Sequence, residues 1–218
     1  MSLDKKYLAS LTEENIYHIY NRTNNRELLF RSDENRRFFL QQFAHYLSPF
    51  LETYCWCLLP NHFHFLVRIK QATEIMKWLQ QQEILKPAEK EYMQGNNSTA
   101  RLLEKAFHQF FTSYSMAFNR MYARTGNLFH RPFKRLAVNR ELHFTQAIVY
   151  IHANPLKHKL TNDFTRYKWS SWESILSDSP TMLLRNELLE WFGNRKQFIK
   201  THHDLSRYYY ESEIAIED

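Results

Sequence analysis

Two β-prone runs separated by only two residues constrain this chain most. Residues 51–59 read LETYCWCLL, residues 62–69 read HFHFLVRI, and only Pro60 and Asn61 lie between them. A Pro-Asn pair breaks a strand. A connection this short allows only an antiparallel reversal, because a parallel crossover needs about a dozen residues. The sequence therefore predicts an antiparallel pair of strands, and with it a sheet of that kind.

Helices and a further strand surround this hairpin. Residues 15–21 predict the first strand, and Asn24-Asn25 the apex of the turn that follows it. The interleaving of strands and helices predicts an α+β fold, with helices on one face of the sheet. We expect helices at 33–47 after a cap at Ser32 or Asp33, at 73–85, at 99–123 and at 141–153, an exposed loop at 86–98 and an extended segment at 126–138.

The C-terminal part of the chain carries its own helical patterns. The stretches WSSWESIL and RNELLEWFG both indicate further helices. We therefore expect one α+β domain over residues 1–175 and a helical extension over residues 176–218. A length of 218 residues suits that organisation.

Charge and glycine content narrow the classes of partner. The net charge is +6, and 16% of the residues are aromatic. This balance favours nucleic acid, whose unpaired bases stack on rings, although it also fits a merely basic soluble protein. Only three glycines occur, which argues against a glycine-rich phosphate-binding loop. With no long apolar run and no signal peptide, we expect a cytoplasmic protein without a membrane partner.

Two histidines stand inside the second apolar run. Side chains alternate across a strand, so His62 and His64 point to the same face, roughly 6.5–7 Å apart. Two imidazoles at that spacing can hold one divalent cation, although imidazole does not identify the metal. Two other interpretations stay open: ordinary hydrogen-bonding histidines, or a Cys₂His₂ zinc site with Cys55 and Cys57. The C-x-C spacing is unusual for such a zinc site.

A tyrosine and an amide share one face of the helix predicted at 141–153. Tyr150 and Asn154 are four residues apart, which places them one turn from each other. The Asn154 carbonyl oxygen could supply a third metal ligand, and the Tyr150 hydroxyl could act as a nucleophile. The alternative is a core tyrosine followed by an Asn-Pro pair that ends the helix.

In combination, these blocks resemble the HUH single-strand transposases of insertion sequences, especially the REP-associated tyrosine transposases. The resemblance covers about residues 15–172. It rests on the stretches YHIYNRTNNRELLF, YCWCLLPNHFHFLV, AFNRMYARTGNLFHRPFKR, YIHANPLKHKL and YKWSSW, which follow the order of the family. One departure is Thr23, which stands where the motif usually has glycine.

This resemblance implies a ferredoxin-like α+β domain that acts on single-stranded or hairpin-containing DNA. It implies His62 and His64 as paired metal ligands, Tyr150 as the nucleophile, and Asn154 as a further ligand, with Mg²⁺ or Mn²⁺ as the ion. The family nicks and rejoins DNA through a 5′-phosphotyrosine intermediate. The chain would act as a monomer or as a homodimer, and some relatives exchange the tyrosine helix between subunits.

Three alternatives to that function stay open. The first is a DNA-binding protein of the same ancestry that is catalytically idle. The second is a metal-dependent ribonuclease, an RNA-binding module or another nuclease that uses water, and it would not require Tyr150. The third is the structural zinc protein, which predicts that metal removal unfolds the domain.

A basic and aromatic segment is the expected DNA-binding surface. Residues 119–135, NRMYARTGNLFHRPFKR, combine cations for phosphates with rings for stacking. The alternative is a solvated basic strand with core phenylalanines. The ends of the first strand and of the tyrosine helix could add contacts. We predict DNA contacts from Asn21, Arg22, Arg26, Arg120, Arg124, Phe129, Arg131, Lys134, Arg135 and Lys157.

Overall fold

Four strands form one antiparallel sheet. A computed structural model of the chain describes residues 7–139 and 141–211, with side chains at all of these except 141–142 and 207–211. The strands are β1 (Ile16–Arg22), β2 (Leu51–Leu59), β3 (His62–Ile69) and β4 (Lys134–Ala137). Their order in the sheet is β2-β3-β1-β4, and each neighbouring pair is antiparallel. With helices after β1 and after β3, this is the ferredoxin-like βαββαβ arrangement, which confirms the predicted fold class.

Eight helices accompany the sheet in the described part of the chain. They are α1 (Asp33–Leu47), α2 (Ala72–Gln80), α3 (Pro87–Met93), α4 (Thr99–Met121), α5 (Glu141–Lys157), α6 (Trp172–Leu176), α7 (Arg185–Trp191) and α8 (Arg195–Glu211). Short 3-10 turns lie at Asn24–Arg26 and Phe164–Arg166. Within residues 7–139 and 141–211, no helix is long and apolar enough to cross a membrane.

The hairpin and the first helix form where the sequence places them. β2 and β3 have the bounds predicted from the two apolar runs, and α1 has the predicted bounds as well. The Ser32 hydroxyl accepts a hydrogen bond from the backbone N–H of Asn35 at 3.3 Å. This side-chain cap satisfies one of the free donors at the start of α1.

The turn after β1 accommodates the side chain of Thr23 at the position where the related motif usually has glycine. The φ of Thr23 is −74°, an ordinary extended value. Its hydroxyl donates a hydrogen bond to the backbone oxygen of Glu27. The left-handed residues of this turn are Asn25 and Arg26, each with φ 57°, and asparagine in particular tolerates that conformation. Glycine is therefore not needed at position 23.

Phenylalanines fill the first face of the sheet, which is the face that carries Phe63 and Phe65 of β3. Phe43 of α1 stacks on Phe65 with 3.9 Å between the ring centroids. Phe110 of α4 lies 4.9 Å from Phe39 of α1, ring to ring. These rings are buried in one apolar cluster, so the first face is a core that fixes α1 and α4 on the sheet.

The second face of the sheet, which carries His62 and His64, is also covered. α5 and the C-terminal helices pack over it and join Tyr54, Ile151 and Phe198 in a second buried cluster. The prediction of helices on one face is therefore wrong. Because β3 is buried on both faces, its apolar residues follow one another with little alternation. For the same reason both histidines are buried.

The extension at the C-terminus is helical, as predicted. It contains α7 and α8, and residues 212–218 lie outside the described residues. Leu188 of α7 and Phe198 of α8 belong to the same buried cluster as Tyr150 of α5. The extension therefore completes the core of the second face. The division of the chain after residue 175 stays a prediction.

A short helix occupies part of the loop expected at 86–98. Pro87 takes the first position of α3, where its missing N–H costs no hydrogen bond. The Glu89 carboxylate accepts a hydrogen bond from the backbone N–H of Lys86 at 2.7 Å, and Glu89 is buried. The prediction of an exposed loop is therefore wrong, because polar composition concealed these helix-start signals.

Helix α5 continues through the Asn-Pro pair that was expected to end it. Pro155 lies inside the helix and removes one backbone donor. The next turn is kept, because the backbone N–H of His158 donates to the Asn154 oxygen at 3.0 Å. The predicted end at residue 153 is therefore wrong, and the last turn of α5 includes Lys157.

Two buried histidines make stability depend on pH. Burial lowers the pKa of His202 from 6.5 to about 3, and burial also lowers the pKa of His152. Between these values the unfolded chain binds protons that the folded chain does not bind, so acid favours unfolding. We expect the urea concentration at the midpoint of unfolding to fall as the pH drops from about 7 to about 5. This pH interval lies above the range where most carboxylates titrate. A His202→Leu variant should lose part of this pH slope. A constant wild-type midpoint would contradict the prediction.

Candidate active site on the second face

A neighbour holds each histidine of the H-x-H pair through Nδ1. The ring centroids of His62 and His64 lie 5.2 Å apart, so the rings share one face. His62 Nδ1 lies 2.7 Å from Asn61 Oδ1, and His64 Nδ1 lies 2.9 Å from His18 Nε2. Metal-binding histidines are commonly oriented by a hydrogen bond at the second ring nitrogen. Nε2, which is buried in both rings, is then the atom that could bind a metal.

His18 of β1 connects the H-x-H pair with the tyrosine, and the sequence did not predict it. Its ring centroid lies 5.1 Å from that of His64 and 6.0 Å from that of Tyr150. For His64 to bind a metal through Nε2, its Nδ1 must carry the ring proton and donate a hydrogen bond to His18. The ring of Tyr20 stacks on the rings of His18 and His64, with centroid distances of 4.8 Å and 5.7 Å.

One side of α5 lies over these histidines. The Tyr150 ring is 6.0 Å from the His64 ring, centroid to centroid. Just over two turns later, immediately after the end of α5, the His158 ring is 4.6 Å from the His62 ring. Lys157 Nζ lies 5.5 Å from the centre of the Tyr150 ring. Residues that are far apart in the sequence thus meet within a single chain.

Asn154 lies on the same side of α5, one turn after Tyr150. It is 1% exposed, and its Nδ2 donates to the backbone oxygen of Tyr150 at 3.1 Å. Its Oδ1 is buried and accepts no hydrogen bond within the described residues. A buried oxygen without a partner costs about 1–3 kcal/mol. A divalent cation would satisfy this oxygen, so the residues fit the metal that the resemblance implies.

The Cys₂His₂ zinc interpretation is wrong. Within residues 7–139 and 141–211, no three or more His, Cys, Asp or Glu side chains form a group suited to a metal. Cys55 pairs in register with Leu66, and Cys57 pairs with His64. Both thiols are buried, and neither forms a disulfide. Burial raises the pKa of the Cys55 thiol well above its usual value, so it stays protonated. A metal at the H-x-H pair would need another kind of third ligand, such as the Asn154 amide.

Six of the predicted DNA contacts are accessible cations. Exposed guanidinium groups occur at Arg22, Arg26, Arg120 and Arg131. Lys134 and Lys157 are half-buried beside the histidine cluster, and Lys134 Nζ lies 5.5 Å from the centre of the Tyr20 ring. Arg22 pairs in register with His62. Arg22, Lys134 and Lys157 therefore surround the site with positive charge.

The other four predicted DNA contacts are buried or half-buried. They are Asn21, Arg124, Phe129 and Arg135. Arg124 is paired with Glu27 at 2.6 Å, and Arg135 is paired with Glu104 at 2.8 Å. Phe129 is 5% exposed in the core of the first face, whereas stacking on a base requires an exposed ring. These positions give the four residues structural roles, and their contacts with DNA stay predictions.

A cavity of about 690 Å³ lies apart from the histidine cluster. Its lining includes Phe111 of α4 together with Phe129 and Arg131 of the basic segment. Phe111 packs beside Phe63 on the first face, with 6.1 Å between ring centroids. This cavity and the candidate active site are therefore on opposite sides of the sheet.

The fold matches that of a transposase. No family model matches the chain, and no curated protein sequence matches it either. Among solved structures, the chain is similar to a REP-associated tyrosine transposase bound to a REP hairpin, with a TM-score of 0.54 and 14% sequence identity. The match covers 83% of this chain and 89% of that chain. At this identity, the likeness establishes a shared fold.

Proposed function

We propose that this chain is a metal-dependent, transposase-type enzyme that nicks and rejoins single-stranded DNA containing hairpins. One observation carries the proposal. Tyr150 of α5 lies against His64, while the unsatisfied Oδ1 of Asn154 is buried on the same side of that helix. This arrangement supports a site in which Tyr150 would be the nucleophile, and two imidazoles and an amide oxygen would hold the metal. The structural neighbour is bound to a REP hairpin, which supports the choice of DNA as the partner.

The reaction breaks one phosphodiester bond of the DNA and forms a new one between its phosphorus and Tyr150. The Tyr150 hydroxyl oxygen attacks phosphorus and loses its proton, while the bond from phosphorus to the 3′ oxygen breaks and that oxygen gains a proton. The products are a 5′-phosphotyrosine and a free 3′-hydroxyl. Attack of a 3′-hydroxyl on the phosphotyrosine reverses the step and reseals the strand. No nucleotide cofactor is needed, because the covalent link keeps the bond energy.

His62, His64 and Asn154 are the residues that would hold Mg²⁺ or Mn²⁺. When bound, the ion supplies positive charge to the phosphate under attack. By accepting a hydrogen bond from Nδ1, His18 and Asn61 would keep the two imidazoles in the tautomer that ligates through Nε2. The mixture of imidazole and amide donors suits Mn²⁺ at least as well as Mg²⁺, which prefers oxygen ligands.

A covalent-trapping assay tests the proposed function. Single-stranded and hairpin oligonucleotides from both flanks of the gene, labelled on the 3′ side of the cleavage point, are incubated with Mn²⁺ or with EDTA. We expect a protein–DNA adduct on a denaturing gel that forms only with the metal. Metal-dependent cleavage that leaves no label on the protein would refute the tyrosine mechanism.

A second candidate is a hairpin-DNA-binding protein without catalysis. The observation in its favour is that Tyr150 is only 2% exposed. A phosphate can reach the hydroxyl only after the side chains around it move. Tight hairpin binding with no adduct on either flank, in either metal, would identify this function.

Removal of two cations should weaken DNA binding. We expect Arg131→Ala with Lys134→Ala to lower affinity and to reduce the slope of log K against log salt by about 1.4, because each lost phosphate contact in a single strand contributes about 0.7. The matched control is Arg166→Ala with Lys200→Ala, which removes two exposed cations elsewhere. Fluorescence anisotropy across a salt series measures both slopes. Equal slopes in the two double variants would remove Arg131 and Lys134 from the interface.

A further inference from the structure

A buried hydrogen-bond relay ties α5 to α8 and to β2. His202 Nδ1 lies 2.8 Å from the Phe198 oxygen, and His202 Nε2 lies 3.0 Å from His152 Nδ1. His152 Nε2 lies 2.9 Å from Ser171 Oγ. Ser171 Oγ in turn accepts from the backbone N–H of Trp56 at 2.9 Å. Both histidines and Ser171 are 0% exposed, so water does not compete for these bonds.

The two ends of the relay fix the direction of every bond. The Phe198 carbonyl can only accept, so a neutral His202 donates from Nδ1 and accepts at Nε2. His152 then donates a hydrogen bond from Nδ1 to His202, and its Nε2 accepts a hydrogen bond from the Ser171 hydroxyl. The backbone N–H of Trp56 donates to the Ser171 oxygen and completes the series. Every member is satisfied in this one arrangement, and loss of one member leaves a buried neighbour without its bond.

The relay holds the side of α5 that faces away from the site. Successive residues of a helix are about 100° apart around its axis, which places His152 about 160–200° from Tyr150 and Asn154. The front of the helix therefore carries the chemistry, while the back is bonded to other elements. A rotation of α5 that moved Tyr150 away from His64 would also break the relay.

We propose that His202 and Ser171 are positioning residues for Tyr150, which makes α8 a working part of the active site. The proposal rests on the proposed function, since positioning affects a rate only if Tyr150 reacts. It gives the helical extension a task, namely to fix the tyrosine helix over the H-x-H pair of the same chain. The relay does so through His152, which lies two residues from both Tyr150 and Asn154.

Full-length variants can separate positioning from stability. His202→Leu removes the acceptor for His152 Nδ1, whereas His202→Gln keeps a side-chain acceptor. Ser171→Ala breaks the other end of the relay and serves as a second variant should His202→Leu not fold. Leu188→Ala removes packing from the same buried cluster without touching the relay. Each variant is assayed below its melting transition for adduct rate and hairpin affinity. Fluorine NMR of a fluorotyrosine at position 150 reports the ring environment without catalysis.

We expect His202→Leu or Ser171→Ala to slow adduct formation by about tenfold or more, at unchanged hairpin affinity, because small misplacements of a nucleophile are costly. The fluorine signal should broaden or split, and His202→Gln should recover most of both readouts. Leu188→Ala should melt earlier yet keep the wild-type rate and signal. Equal rates and signals in His202→Leu and Leu188→Ala would overturn the positioning role. A changed signal together with an inactive wild type would refute the proposed function but keep the positioning role.

Discussion

Replacement of Tyr150 by phenylalanine is expected to lower the rate of adduct formation by at least about a thousandfold, because it removes the attacking oxygen itself. The phenylalanine ring can keep the contacts that Tyr150 makes with His18, His64 and Lys157. The fold and the hairpin affinity should therefore be preserved. Denaturing gels measure the adduct, and circular dichroism with anisotropy measures the fold and the affinity.

The matched control is Tyr114→Phe, which removes a buried hydroxyl from the first face. That hydroxyl donates to the Leu29 oxygen at 2.7 Å, so its loss should cost about 1 kcal/mol of stability. The adduct rate should not change, because Tyr114 is separated from the histidines by the sheet. Cleavage that persists in Tyr150→Phe and leaves a free 5′-phosphate would identify a nuclease that uses water.

The central hairpin could be predicted because its information is local. Pro60-Asn61 sets the reversal between β2 and β3, and the alternation of a strand puts His62 and His64 on one face. The helix at Pro87–Met93 and the end of α5 could not be predicted in the same way. Polar composition and a proline report local preference, whereas the packed position of a segment decides between helix and loop.

The partners of the site residues could not be predicted because they depend on strand register and helix packing. His18 and His64 are 46 residues apart, and β1 places His18 opposite Leu66 and Tyr20 opposite His64. Composition cannot reveal that pairing. The usable signal was the alternation of β1, which puts His18 and Tyr20 on one face. The same limit applies to the relay, whose histidines lie on two helices.

Asn154, the proposed third ligand, shows how much the spacing of residues alone can predict. Tyr150 and Asn154 were placed on one helical face by their separation of four residues, and both side chains lie on the buried side of α5. Spacing could not distinguish an amide ligand from a residue that ends a helix. The continuation of α5 through Pro155, together with the unsatisfied Asn154 Oδ1, favours the ligand.

Replacement of His64 by leucine is expected to lower the affinity for Mn²⁺ by more than about a hundredfold, because even partners that only orient a ligand contribute tenfold to a hundredfold. Leucine fills much of the space of the ring, so the loss reports the missing nitrogen more than a cavity. His18→Phe, which removes the partner of His64 Nδ1, should lower the affinity about tenfold to a hundredfold. Electron paramagnetic resonance of free Mn²⁺ measures the affinity without DNA and without catalysis.

Exposed His45 of α1 supplies the control, since His45→Leu removes an imidazole far from the sheet histidines and should leave Mn²⁺ binding unchanged. Equal binding by His64→Leu and the wild type would place the ion elsewhere. A wild type that binds no Mn²⁺ but still forms the adduct with Tyr150 would remove the metal from the mechanism. In that case the cations around the site, Lys157 foremost, would have to supply the charge that the scissile phosphate requires.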